Sequence, residues 1–223
     1  MLALNFAQAS GAPLRLLCIG AHVDDIEIGC GGTLLQLLAE RKRVSVRWVI
    51  LAANAVRERE ARRSARRILR GAAALEIQIG SLRDGYLPYF GAQVKDVIES
   101  LKSFKPDLIF THARSDLHQD HRIVSELTWN TFRNHEILEY EIPKYDGDLG
   151  QPNVFVPLTA AVRRRKLRLL MSAFPSQMKR SWFTTETFDA LMRLRGIEGA
   201  APSGYAEAFY GRKLALTFSA RRR

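Results

Sequence analysis

Four times between residues 14 and 133 a short apolar run gives way to a stretch with helical spacing. The runs at 14–20, 44–52, 75–79 and 107–111 read as strands. The stretches at 33–43, 57–71, 94–104 and 119–133 read as helices. A strand followed by a helix-length crossover pairs in parallel with the next strand, so this rhythm dictates an α/β fold. The fold class expected is a Rossmann-like, mostly parallel sheet with helices on both faces, in a single domain. Local signals agree. Leu34, Leu35, Leu37 and Leu38 give the first helix its apolar face, and its basic end suits the helix dipole. In the second helix Ala61, Ala65, Ile68 and Leu69 point inward among many charges, with Gly71 as a stop. Pro106 closes the third. Beyond residue 135 the rhythm loosens into strands at 136–144 and 154–158 and helices at 161–174 and 184–194. A short apolar-acidic segment at 205–209 and a last strand at 213–218 follow. No stretch is rich enough in Pro, Gly or Ser to act as a linker.

Composition narrows the function classes. The 223 residues suit one α/β domain, and 47% hydrophobic content is ordinary for a globular chain. No apolar run has the length of a membrane span. Residues 1–12 have no basic residue ahead of a short apolar part interrupted by Asn5, and read as a ragged start rather than a signal peptide. Two cysteines, Cys18 and Cys30, make no disulfide framework and suit a reducing cytoplasm. The net charge of +11 gathers at residues 41–43, 57–70, 163–168 and 221–223, which favours anionic partners such as nucleotide-sugars, phospholipid headgroups or nucleic acid, or simply solvated helix faces. No aromatic residues interleave these runs for base stacking, so no nucleic-acid partner is expected.

The chemistry lies where two of the strands end. The first runs into His22-Val23-Asp24-Asp25 and the fourth into a polar stretch holding His118-Gln119-Asp120-His121. In a parallel sheet the carboxyl ends of the strands share one edge, so two segments far apart in sequence meet in one crevice. Together they hold three of the five histidines. Two histidines and a carboxylate, with a fourth position left to water, form a ligand set for hydrolytic zinc. Adjacent residues on extended chain project to different sides. Asp24 and Asp25 can therefore divide the work, one on the metal and one as general base. His118 and His121 share a face at a helix start, so one can bind metal while the other stands beside the substrate. A protonated His118 held by Asp120 or another carboxylate would stabilise an oxyanion and protonate a leaving amine. Gly29-Cys30-Gly31-Gly32 precedes a helical pattern but lacks the G-x-G-x-x-G spacing of a dinucleotide turn.

These motifs resemble those of a known family. A-H-x-D-D-x-E-x-G-C-G-G-T-L over 21–34, followed by H-x-D-H at 118–121, is similar to the PIG-L (LmbE-like) family of metal-dependent N-acetylglucosamine deacetylases. Arg57 to Glu60 resembles its R-x-x-E helix start, and Asp84-Gly85 with Leu87-Pro88 its D-G-x-L-P loop. Ser176-Gln177 and Tyr205 to Phe209 resemble its S-Q and Y-A-E-x-F segments, and Asp116 falls where an Asp often precedes H-x-D-H. The resemblance implies His22, Asp25 and His121 as metal ligands, Asp24 as general base, and His118 as electrophile or acid tuned by Asp120. It implies Arg57, Asp84 and Tyr86 as substrate contacts. The cofactor implied is Zn2+, with Fe2+ fitting the same ligands. The substrate implied is an amino-sugar conjugate, anionic if the charge is a guide, and a homo-oligomer follows from the same likeness. It also implies one deacetylase domain over 1–223 with a family-variable part at 136–223. Val23 stands where the family usually has Pro, which removes no ligand. Two other readings compete: a Rossmann-like nucleotide-binding transferase and a basic, non-catalytic binding protein.

Overall fold

The computed structural model describes residues 13–214. The reading of residues 1–12 and the basic cluster at 221–223 lie outside them. A seven-stranded sheet is ordered β3-β2-β1-β4-β5-β7-β6. β1 (Leu14–Gly20), β2 (Val44–Ile50), β3 (Ala74–Ile79), β4 (Leu108–His112) and β5 (Glu136–Tyr140) run parallel. β6 (Val154–Pro157) and β7 (Ala206–Gly211) complete the sheet through antiparallel pairs on β7. β1 is the pivot. The chain leaves it toward β2 on one side, then returns to lay β4 on the other. A crevice at the carboxyl end of β1 and β4 follows from that reversal.

Side chains along β1 alternate between two cores, as strand geometry requires. Leu16 and Cys18 join the core that includes residues of α1 (Asp25–Glu40), α2 (Ala55–Ile68), α5 (Ala160–Ala173) and α6 (Thr185–Glu198). Leu17 and Ile19 join the core that includes residues of α3 (Gly91–Ser100) and α4 (Gln119–Thr131). Helices therefore cover both faces, as the β-α rhythm requires.

Two expectations need correction. The first helix begins at Asp25, eight residues before the expected Thr33, and ends at Glu40. The Gly29-Cys30-Gly31-Gly32 run is helix interior rather than a turn. Glycine lowers helix propensity by about 1 kcal/mol each, so helical spacing alone places the start too late. The reason for the glycines is tertiary. A Cβ on Gly29 would stand 2.3 Å from the Tyr140 ring, and one on Gly32 2.7 Å from Leu158. The second correction concerns the end of the chain. All but Tyr205 of the segment at 205–209 belongs to strand β7, which runs from Ala206 to Gly211. Lys213 and Leu214 lie outside any strand, and 215–218 lie outside the described residues.

Candidate metal centre

Asp24 is the N-cap of α1, yet its side chain makes no capping hydrogen bond. Asp25 occupies the first turn and accepts the His22 N–H at 2.6 Å. His118 caps α4 through its own ring, whose Nδ1 accepts the Asp120 N–H at 3.2 Å. His121, one turn along α4 from its cap, points to the same crevice.

Three of these side chains meet. His22 Nδ1 lies 3.2 Å from His121 Nε2 and 3.4 Å from an Asp25 oxygen. The other Asp25 oxygen is 3.6 Å from His121 Nε2. Ligands about 2.0–2.2 Å from a tetrahedral zinc stand roughly 3.3–3.6 Å from one another. The residues present thus fit a metal, on their donor chemistry and on the edges of the triangle. Other His/Asp groups overlap it: His22, His118 and His121; Asp25, His112 and His121; and His22, Asp84 and Asp120.

Each candidate histidine ligand is backed by a carboxylate on its far nitrogen. His121 Nδ1 is 2.8 Å from Asp116, and His22 Nε2 is 3.1 Å from Asp120. Such partners fix the tautomer and turn the other nitrogen to the metal. Asp120 also accepts the N–H groups of Gly85 at 2.7 Å and Leu87 at 3.0 Å, which fastens the 84–87 loop to α4. Asp116 is held from behind by Lys144 at 3.1 Å. Lys144 in turn meets Asp148 at 2.5 Å, and Asp148 accepts the Leu117 N–H.

The electrostatics are those of crowded, buried charge. Burial and the neighbouring Asp25 push Asp24 up to about 7. Burial opposes ionisation of Asp25 too, but His121, His112 and His22 hold it well below the usual carboxylate range. Burial works against charge on His22, and Asp25 leads the carboxylates that hold it well above the ordinary histidine value. Burial and the adjacent His112 pull His121 down to about 4. His118 is lowered by burial and by His22, so its ring favours the neutral form with the proton on Nε2.

The negative charge of Asp120 favours charge on His118, against burial and His22. The Asp120 carboxylate faces His22 and the loop, and its hydrogen bond to His118 comes from the backbone N–H. Arg57, expected as a substrate contact, sits in the first turn of α2, aimed by the Asn54 cap. It donates to Asp84 at 2.6 Å, and the other Asp84 oxygen lies 3.2 Å from His22 Nε2. With the Gln177 amide oxygen turned toward it, Arg57 also donates there at 3.0 and 3.2 Å. Tyr86 is exposed on the same loop, under the Arg83 guanidinium and beside Tyr89.

Two residues escape the sequence reading. His112, the last residue of β4, stacks on His121 at 3.9 Å, and its Nε2 lies 3.2 Å from Asp25. Lys144 lies at the end of what reads as a strand, with no motif around it. Only the folding of the 141–150 loop onto the 113–118 loop gives it a role.

A buried His/Asp cluster that could hold a metal thus lies at the switch point of a doubly wound sheet. The chain belongs to the PIG-L family, described as GlcNAc-PI de-N-acetylase, which matches residues 17–132. It is 29% identical over 158 residues to the uncharacterized deacetylase YaiS of Escherichia coli (strain K12), covering 63% of this chain and 81% of that protein. Among solved structures, a conserved protein of Thermus thermophilus superposes with a TM-score of 0.73 at 24% identity, covering 93% of this chain and all of that one. The N,N'-diacetylchitobiose deacetylase of Pyrococcus horikoshii does so with a TM-score of 0.67 at 24% identity, covering 87% and 82%. The superpositions show a shared fold. Among the described residues no helix is long and apolar enough to cross a membrane.

Proposed function

We propose that the protein is a zinc-dependent N-deacetylase acting on an N-acetylglucosamine-type sugar conjugate and releasing acetate and a free amine. The observation that carries this reading is the triangle of His22 Nδ1, His121 Nε2 and Asp25, at 3.2–3.6 Å, with the carboxylate of Asp24 one residue away. When bound there, zinc supplies Lewis acidity and makes water a competent nucleophile near neutral pH. His22, Asp25 and His121 hold it, and Asp120 and Asp116 orient the two imidazoles. Asp24 accepts the proton of the water that attacks the amide carbon. His118 donates a hydrogen bond from Nε2 to the oxygen that gains charge, and the proton that Asp24 takes from the water passes to the departing nitrogen. Asp84 and Arg57 bracket the mouth with a paired acceptor and donor, suited to sugar hydroxyls, and Tyr86 offers an aromatic face. Cys18 and Cys30, buried and unpaired, fit the reducing cytoplasm, where we place the enzyme.

The test is amine release from N-acetylglucosamine, its methyl glycoside, N,N'-diacetylchitobiose and N-acetylglucosamine 1-phosphate. Each is assayed as prepared, after chelation, and after zinc is restored. Release that chelation abolishes and zinc restores is the expected result. Release indifferent to chelation would sink the metal mechanism. A metal-loaded protein inert toward every amide would sink the substrate class.

A further inference from the structure

The charge surplus of this chain is not spread over its surface. Residues 55–70, which contain α2, hold seven arginines and two glutamates, and α5 holds four arginines, one lysine and no acid. The rest of the chain has 22 basic residues against 21 acidic ones, so almost all of the +11 resides in these two segments. A generally arginine-rich composition would not leave the remainder neutral.

The fold sets the two segments side by side. Glu60 accepts from Ser176, and Arg67 donates to Ser172, so rising numbers in α2 meet falling numbers along α5 and the turn after it. The helices are therefore antiparallel. Arg59, Arg63, Arg66 and Arg70 recur at steps of four, three and four, which is one stripe of a helix. All four are exposed, as are Arg164, Arg165 and Arg168 of α5. None of the seven side chains has a hydrogen-bond or ion-pair partner among the described residues. The two acids are already engaged, Glu58 with Arg62 and Glu60 with Ser176. Other basic residues on these helices have internal work. Lys166 is buried against Glu207, Arg163 pairs with Asp189, and Arg57 reaches Asp84. The seven arginines contribute nothing visible to the fold.

Where α2 begins and α5 ends, exposed apolar side chains join the basic ones. Val56 and Met178 are each about half exposed, beside Arg59, Lys179 and Arg180. This end faces the metal centre, because Arg57 and Gln177 meet there. Clustered arginines on packed helices, edged by exposed aliphatic groups, match the surface of an anionic bilayer in charge and in polarity.

We propose that the α2–α5 face docks the protein on anionic phospholipid membranes, with the mouth of the metal centre turned toward the bilayer edge. The proposal stands apart from the deacetylase reading, since vesicle binding is measured without substrate. The experiment is co-sedimentation of the full, metal-loaded chain with vesicles of 30% phosphatidylglycerol in phosphatidylcholine, and with pure phosphatidylcholine, at 50 and 300 mM salt. Binding to the anionic vesicles that weakens with salt, and none to the neutral ones, is expected. An arginine near such a surface is worth about five-fold in partition. R63E/R66E and R164E/R168E should therefore each weaken binding by about 25-fold or more, and R63Q/R66Q by less than its charge-reversed counterpart. Circular dichroism and thermal melting of all three should match the wild type, which reports that they fold. No binding of the wild type to phosphatidylglycerol vesicles at 50 mM salt overturns the proposal. So does equal binding by folded charge-reversed variants. Displacement from the vesicles by an equal phosphate concentration of duplex DNA would also overturn it, in favour of a nucleic-acid surface.

Discussion

Helix α1 buries charge in two places, and they are opposite in kind. At its N-terminus Asp24 and Asp25 join His22, His112 and His121, with ring nitrogens and carboxylate oxygens facing one another across little more than 3 Å. At its middle the Glu207 carboxylate accepts the N–H groups of Gly32 and Thr33 at 2.7 and 2.6 Å. There Lys166 donates both to Glu207 and to the Ile28 carbonyl, at 2.6 and 2.5 Å. In the second place each charge meets its opposite and the donors are met, as a buried pair must be to avoid a large desolvation cost. In the first place ligand atoms outnumber anything the protein offers them. Surplus donor atoms converging on one point mark a site; balanced ones mark structure. The pair of Arg195 with Glu141, at 2.7 and 2.8 Å, belongs with the structural kind.

The largest expected effects would break this comparison if they failed. His121→Ala and Asp25→Ala should each abolish stoichiometric zinc, measured by elemental analysis, and reduce turnover to background. The metal-free variants should stay folded by circular dichroism, with the loss of zinc far larger than the loss of stability from the contacts of Asp25 and His121 with their neighbours. A metal-free form that unfolds in either variant would mean that the cluster is structural after all. Next, Asp24→Ala should keep its zinc and lose turnover by about 10²–10⁴-fold, the usual worth of a positioned base. Full activity there would end the assigned role.

The structural pair should respond the other way. Glu207→Ala leaves Lys166 buried without its partner and should cost about 3–5 kcal/mol in urea unfolding. Zinc affinity of the folded fraction should change little. Gly29→Ala forces a methyl into the Tyr140 ring and should cost roughly 1–3 kcal/mol despite the better helix propensity of alanine. A neutral result would show that α1 is free to move away from β5.

The smallest effects sharpen the boundary between the two kinds. Asp116→Ala should weaken zinc binding by about 10–100-fold by freeing the His121 ring. Lys144→Met removes a group that touches only Asp116 and its own loop, and should lie at or below the low end of that range. Titration of the apo-protein with zinc reads both. Equal affinities in Lys144→Met and wild type would confine the site to the histidines and their immediate carboxylates.

Much of this was legible in the sequence. The β-α rhythm dictates the parallel sheet, because apolar run length and helical spacing are local properties that each segment carries alone. His22, Asp25 and His121 are readable for the same reason: two polar motifs after two strands meet at one edge whatever the details. The sequence also carries the basic helices, since charge composition survives any folding. Tertiary structure decided the rest. Gly29 and Gly32 read as a break because propensity is local, and only the approach of Tyr140, Leu158 and Glu207 makes them helix. Asp120 reads as a partner of His118, two positions away, and only the fold shows that its carboxylate also faces His22 and the 84–87 loop. Lys144 has no motif at all. Its place behind Asp116 exists only because two loops, distant in sequence, are pressed together at the end of the sheet. A group that acts through a long-range contact leaves no periodic or spacing signal, so only the packed molecule can show it.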